Sequence, residues 1–165
     1  LLRKENFGWL CFDRKECRTG YAGDIPLKKI NGNILDQSDI VNLPKDNYST
    51  LSAPTRVFFV LSKKCNLNCV YCSNNSSIIN TEEFSLGKAK EILRELKKLG
   101  VFEISFNGGE AVLYPHFEEI TNEAKKLGFV SFINTNGVYP DEYRKKLLNS
   151  GIEKIKVSLD GPEKI

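Results

Sequence analysis

The chain has 165 residues, with 24 basic and 21 acidic side chains and a formal net charge of +3. That near-even balance implies neither a nucleic-acid nor a membrane partner. With 41% hydrophobic and 27% charged residues, the composition excludes wholesale disorder. No apolar run is long enough to cross a bilayer and no signal-peptide pattern opens the chain, so the cytoplasm is the expected location. Lysine pairs such as Lys97-Lys98, Lys125-Lys126 and Lys145-Lys146 fall near predicted helix ends, where they complement the helix dipole. The chain contains no methionine, not even at its start, which reads as a piece of a longer protein.

Residues 1–53 are polar and turn-rich and read as a small N-terminal region with a linker. Phe7 to Phe12 predicts a strand, Asp13 to Glu16 a turn, and residues 17–23 a returning strand. Pro44 and Pro54 flank a stretch that reads as the linker. The rhythm changes in the second region, residues 54–165. Val57 to Leu61 is a short continuous apolar run, the mark of a strand buried on both faces. Leu86, Ala89, Ile92, Leu93, Leu96 and Leu99 then recur at helical spacing, and Gly100 ends that helix. Val101 to Phe106 predicts the next strand. A helix opened by Pro115 carries Phe117, Ile120, Ala124 and Leu127 on one face. Phe129 to Ile133, a helix from Pro140, and Ile155 to Leu159 complete the alternation.

Alternating strands and helices predict an α/β fold of parallel βαβ units. Four strands are about half of a closed barrel, which needs roughly 250 residues. Periodicity alone also allows an open doubly wound sheet. Each strand is followed by residues poorly suited to simple packing: Cys65, Cys69 and Cys72; then Asn107 to Glu110; then Asn134 to Gly137; then Ser158 to Gly161. In a parallel sheet all of these lie on the C-terminal edge, where α/β proteins build their sites.

The segment from Lys64 to Cys72 carries the strongest chemistry. Thiolates are soft ligands for iron–sulfur clusters and zinc, and a tight loop can aim three of them at one centre. Three cysteines leave one iron of a four-iron cube without a protein ligand. A structural zinc loop would need a fourth ligand from His116, Cys11 or Cys17. A ferredoxin-like electron carrier would need a fourth closely spaced cysteine, and none follows Cys72. Both remain as alternatives to an enzyme. His116 itself reads as a helix-start residue. Cys11 and Cys17 read as packing residues or as part of a second metal site.

Cysteines spaced C-x₃-C-x-aromatic-C after the first barrel strand, with Gly108-Gly109-Glu110 after the second, resemble the radical SAM superfamily. The resemblance runs from about Arg56 to the end. It implies the N-terminal part of a partial (β/α) barrel and an enzyme with two cofactors, a [4Fe–4S] cluster on Cys65, Cys69 and Cys72, and S-adenosylmethionine on the cluster's unique iron. One electron from the cluster would cleave S-adenosylmethionine, and the resulting 5′-deoxyadenosyl radical would abstract hydrogen from substrate. The resemblance also implies a reducing partner such as flavodoxin or ferredoxin.

The same resemblance suggests cofactor-binding residues, each with a physical argument beside it. Tyr71 would lie beside the adenine, or equally cover the loop's apolar underside. Gly108 and Gly109 would let backbone approach a ligand, and Glu110 would accept from the ammonium group. Thr135, with Asn136, belongs to a Thr-Asn-Gly segment that could contact cofactor or simply turn. Ser158 and Asp160 suit a ribose diol, or an ordinary strand exit. No catalytic residue is assigned.

The family's later βα units, its Gly-x-Ile-x-x-Gly strand and any cysteine-rich extension for auxiliary clusters have no counterpart here. The segment from Arg3 to Leu10, with Asp13-Arg14, is similar to the start of peptide-maturing members, in which a small module grips a leader peptide. A peptide could pair with the Phe7–Phe12 strand edge. The alternative is a hairpin that caps the barrel.

Overall fold

The structure is a computed structural model that describes residues 1–5, 8–15, 18–21, 51–159 and 161. The chain divides into two compact units, Leu1–Thr55 and Arg56–Ile165. The described elements of the first unit are three strands, β1 (Leu2–Glu5), β2 (Gly8–Asp13) and β3 (Arg18–Tyr21), in an antiparallel sheet of order β1-β2-β3. β1 is an addition to the sequence reading. Its Leu-Arg-Lys-Glu sequence carries no strand signal, because two of its charged side chains are buried against each other. Arg3 and Glu5 point to one face, joined at 2.6 Å, and share that face with buried Leu10 and Phe12. Arg3 also donates to the carbonyls of Ala53 at 2.7 Å and Pro54 at 3.2 Å, while the Ser52 amide donates to Glu5 at 3.0 Å. Residues 52–54, expected as linker, are therefore pinned to β1. Phe7, Cys17, Pro44 and most of the expected linker lie outside the described residues.

The second unit is the α/β half-barrel core. Its sheet has the order β4-β5-β6-β7, with all neighbouring strands parallel. These strands are β4 (Arg56–Ser62), β5 (Glu103–Gly108), β6 (Val130–Thr135) and β7 (Lys154–Val157). Helices α1 (Leu86–Lys98), α2 (Phe117–Lys126) and α3 (Asp141–Leu148) supply the crossovers. Phe59, Leu61, Ile104, Phe106 and Ile133 meet Ala89, Leu93, Phe117, Ile120 and Leu147 in one core. Side chains alternate along each strand, so the opposite face carries Arg56, Phe58, Glu103, Ser105, Asn107 and Asn134.

Local signals explain the helix boundaries. Ser85 caps α1 by accepting from the Lys88 amide at 3.3 Å. Gly100 and Gly128 follow α1 and α2 with φ of 77° and 80°, the left-handed conformation that ends a helix. His116 takes the N-cap position of α2 and bonds Glu119 through Nδ1 at 3.2 Å. A short 3₁₀ turn, Ala111–Leu113, follows β5 and buries Ala111 and Val112 in the core. No described helix is long and apolar enough to cross a membrane.

Candidate functional site

β4 does not run straight into its loop. Its pairing with β5 shifts register between Val60 and Ser62, and the chain then leaves the sheet carrying Cys65, Cys69 and Cys72. The loop folds back on itself. The Lys63 amide donates to Glu82 at 2.9 Å, Cys65 to Ser77 at 3.0 Å, and Phe84 to Leu61 at 3.0 Å. Within it, Cys72 closes a turn onto the Cys69 carbonyl at 3.1 Å.

The end of β5 is packed against this loop. The Gly109 amide donates to Ser62 at 2.8 Å and the Glu110 amide to Lys64 at 2.9 Å. A Cβ on Gly109 would lie 2.1 Å from the Lys64 carbonyl oxygen and 2.9 Å from Cys65 Cβ. The glycine pair was expected to clear space for a ligand. In the fold it also clears space for the backbone that carries the first cysteine.

Glu110 is 1% exposed yet borders the cleft. Its Oε1 accepts from Thr135 Oγ1 at 2.8 Å and its Oε2 from the Asn136 amide at 2.8 Å. Burial pushes its carboxyl above the ordinary range, while those two donors favour the charged form. Gly137, at φ 71°, completes the turn after β6 and donates to Thr135 Oγ1 at 3.1 Å.

A cleft of about 770 Å³ opens where these strand ends meet. Cys65, Cys69, Cys72, Tyr71, Gly108, Gly109, Glu110, Thr135 and Ser158 all line it. Asp160 lies outside the described residues. Tyr71 is 66% exposed, so it does not cover an apolar underside of the loop. The cleft also holds Asn136, named beside Thr135 in the sequence reading, and Phe58, Asn74 and Ser76, which that reading left out of the site. Asn74 donates to the Gly108 carbonyl at 2.9 Å and ties the far side of the cysteine loop to β5. The available signal was the density of asparagines in and after the cysteine segment, whose short amides bond backbone locally. His116, at the start of α2, is not among the residues lining the cleft.

The chemistry of the three thiols suits an iron–sulfur cluster. All are free thiols. Backbone amides point at two of the sulfurs, Leu67 at Cys65 and Ser76 at Cys72, each at 3.4 Å. The Ser76 amide holds the Cys72 thiol below its usual pKa. Burial pushes the Cys65 thiol up, and the charges of Glu110, Cys69 and Cys72 add to that. Amide donors of this kind stabilise sulfur that carries negative charge. Among the described residues no three His, Cys, Asp or Glu side chains are gathered around a single-ion centre.

A parallel half-barrel sheet with a cysteine loop at the C-terminal edge of its first strand defines the class of protein. The chain belongs to the Radical SAM superfamily, whose profile matches residues 59–165. Members of that superfamily are enzymes that use S-adenosylmethionine and an iron–sulfur cluster. The chain is 33% identical over 116 residues to a probable GTP 3′,8-cyclase of Archaeoglobus fulgidus, covering 70% of this chain and 38% of the relative. It is 30% identical over 111 residues to the PqqA peptide cyclase of Streptomyces rochei, covering 66% of this chain and 30% of the relative. Among solved structures it resembles Streptococcus suis SuiB bound to S-adenosylmethionine. The TM-score is 0.66 at 18% identity, covering 94% of this chain and 44% of SuiB. The chain thus matches less than half the length of each of these proteins.

Proposed function

We propose that the chain is the cluster- and cofactor-binding part of a radical SAM enzyme. Cys65, Cys69 and Cys72 would hold a [4Fe–4S] cluster, and the cleft beside them would take S-adenosylmethionine. When bound, the cluster supplies the single electron that cleaves S-adenosylmethionine to methionine and a 5′-deoxyadenosyl radical, which abstracts hydrogen from substrate. The observation that carries the reading is the convergence of the three cysteines, Glu110, Thr135 and Ser158 on one cleft at the C-terminal edge of the sheet. The chain's residues would do the holding. Glu110 supplies buried negative charge for an ammonium group, exposed Tyr71 a face for a base, and Ser158 a hydroxyl for a sugar. Asp160 remains a proposed ribose contact on the strength of the resemblance alone.

The proposed substrate class is a peptide. The likeness to a peptide cyclase supports it. The strand expected to offer an edge to the peptide is central β2, paired on one side with β1 and on the other with β3, so among the described strands the outer position falls to β1 instead. Flavodoxin or ferredoxin is the proposed source of electrons. Anaerobic reconstitution with iron and sulfide, followed by electron paramagnetic resonance with and without S-adenosylmethionine, tests the core reading. A reduced cluster signal that changes on adding S-adenosylmethionine is expected. Full cluster loading in Cys69→Ala would sink the ligand assignment. Titration with GTP separates the substrate classes, since micromolar GTP binding by the reconstituted chain would overturn the peptide reading.

A further inference from the structure

The turn after β6 reaches across the cleft to the cysteine loop. Asn136 Oδ1 accepts from the Val138 amide at 2.8 Å, and this fixes which way its side chain faces. The Nδ2 group is thereby directed at the cysteine loop. It donates to Asn66 Oδ1 at 3.0 Å and lies 3.9 Å from Cys65 Sγ, within reach of a hydrogen bond to sulfur. Asn66 answers by donating its own amide to the Val138 carbonyl. The two asparagines therefore form a reciprocal brace between the β6 turn and the residue next to the first cysteine. On its other side, the Asn136 backbone amide donates to Glu110 at 2.8 Å. One residue contacts both the sulfur and the carboxylate that border the cleft.

We propose that Asn136 is a positioning residue for Cys65, orienting its sulfur and raising the reduction potential of the cluster held there. This rests on the reading that Cys65, Cys69 and Cys72 bind a cluster. A hydrogen bond to a ligand sulfur stabilises the more negatively charged, reduced state and so raises the potential. As a thiol, Cys65 lies 4.0 Å from Asn66 Oδ1 and can donate to it. As a thiolate it can only accept, and its donors are the Leu67 amide and the Asn136 side chain. Removing the Asn136 donor takes away one of these two.

The test uses the full chain, reconstituted anaerobically, with Asn136→Ser and Asn136→Asp. Both replacements keep an oxygen that can accept the Val138 amide and preserve the turn. Neither keeps the Nδ2 amide that reaches the sulfur: the Ser hydroxyl sits on a shorter arm, and Asp has no N–H and adds a negative charge. Iron and sulfide content should match the wild type in both. The midpoint potential, followed by electron paramagnetic resonance without S-adenosylmethionine, should move to more negative values in both, further for Asp. The expected change in the reduction equilibrium is about threefold to tenfold for Ser, the upper figure corresponding to about 59 mV for a one-electron couple. Unchanged potentials in fully loaded variants would overturn the proposal while leaving the cluster reading intact. Loss of the cluster in both variants would also overturn it, because Asn136 would then be needed only for folding the loop. A wild-type chain that binds no cluster would overturn both readings together.

Discussion

Glu110 and Thr135 are joined by a 2.8 Å hydrogen bond between Oε1 and Oγ1, both side chains buried at the ends of adjacent parallel strands. The carboxylate that could receive a cofactor ammonium group is thus also the brace that holds the β6 turn. Two variants separate these roles. Glu110→Gln can still accept from Thr135 but sets an amide donor against the Asn136 amide. It should keep its cluster and lose S-adenosylmethionine affinity by about tenfold to a hundredfold, from the roughly 1.5–3 kcal/mol of a charge-assisted bond. Thr135→Val removes the brace and the acceptor of the Gly137 amide but leaves the Glu110 charge, and should lower the melting temperature with less than a tenfold affinity change. Equal affinity losses, measured by calorimetry on the reconstituted chain, would show that Glu110 acts solely through the turn.

Gly109 and Gly87 make opposite predictions for the same substitution. A Cβ at Gly109 would collide with Lys64 backbone and Cys65 Cβ, whereas at Gly87 in α1 nothing lies within 4 Å. Gly109→Ala should displace the loop, lower cluster loading and reduce stability. Gly87→Ala should raise stability by up to about 1 kcal/mol, since alanine loses less freedom in a helix. Thermal melts and iron content of the two variants check this. A fully loaded Gly109→Ala chain would mean that the glycine does not govern the approach of β5 to the loop.

Arg56 pairs with Glu103 through two bonds, 2.9 Å from Nε and 3.0 Å from Nη2, and its guanidinium lies 4.7 Å from the Phe132 ring centroid. Glu103 is buried. A lysine can reproduce neither the paired bonds nor the flat stacking. Arg56→Lys should therefore cost about 1–2 kcal/mol in chemical denaturation. Lys88→Ala, which breaks the exposed Lys88–Glu91 pair of 2.9 Å, should change stability by less than about 0.5 kcal/mol. Similar losses in both would refute the distinction between the buried fork and the exposed pair.

The parallel strands were legible from their apolar runs, but β4 is not buried on both faces as expected. Phe59 and Leu61 are buried against the helices, whereas Phe58 on the other face is 65% exposed, and β7 is exposed along its length. The ends of β5 and β6 were read too early, and that of β7, expected at Leu159, too late, since the strand closes at Val157. Asn107, Gly108, Asn134 and Thr135 were assigned to loops for their polarity, yet Asn107 pairs with Val60, Gly108 with Ser62, and Thr135 with Val157. Polarity there marks the face opposite the helices, or a buried hydrogen bond, rather than a turn. β1 was missed for a related reason. A sequence pattern treats Arg3 and Glu5 as solvated, and only the pairing of both with each other and with residues 52–54 lets them face inward. The cysteine loop was legible from its spacing, whereas its asparagine supports depend on which loop meets which strand end.

That inward pair makes the last prediction one of pH. Burial pushes the Glu5 carboxyl up, but the Ser52 amide and Arg3 outweigh it and hold the group below its ordinary value. A carboxyl depressed in the fold stabilises it fully above the unfolded pKa of about 4.3 and loses that contribution as pH falls through the folded value. Glu5→Gln removes the charge and keeps one acceptor oxygen, for either Arg3 or the Ser52 amide, while its NH2 faces the other donor. At neutral pH it should destabilise the first unit by about 1–3 kcal/mol, because a buried guanidinium loses its counter-charge. In strong acid wild-type Glu5 is itself neutral, so the difference between the two chains should shrink. Melting both 165-residue chains from pH 7 down to about pH 3 reads this directly. A difference that stays constant across that range would show that the Glu5 charge does not hold residues 52–54 against β1.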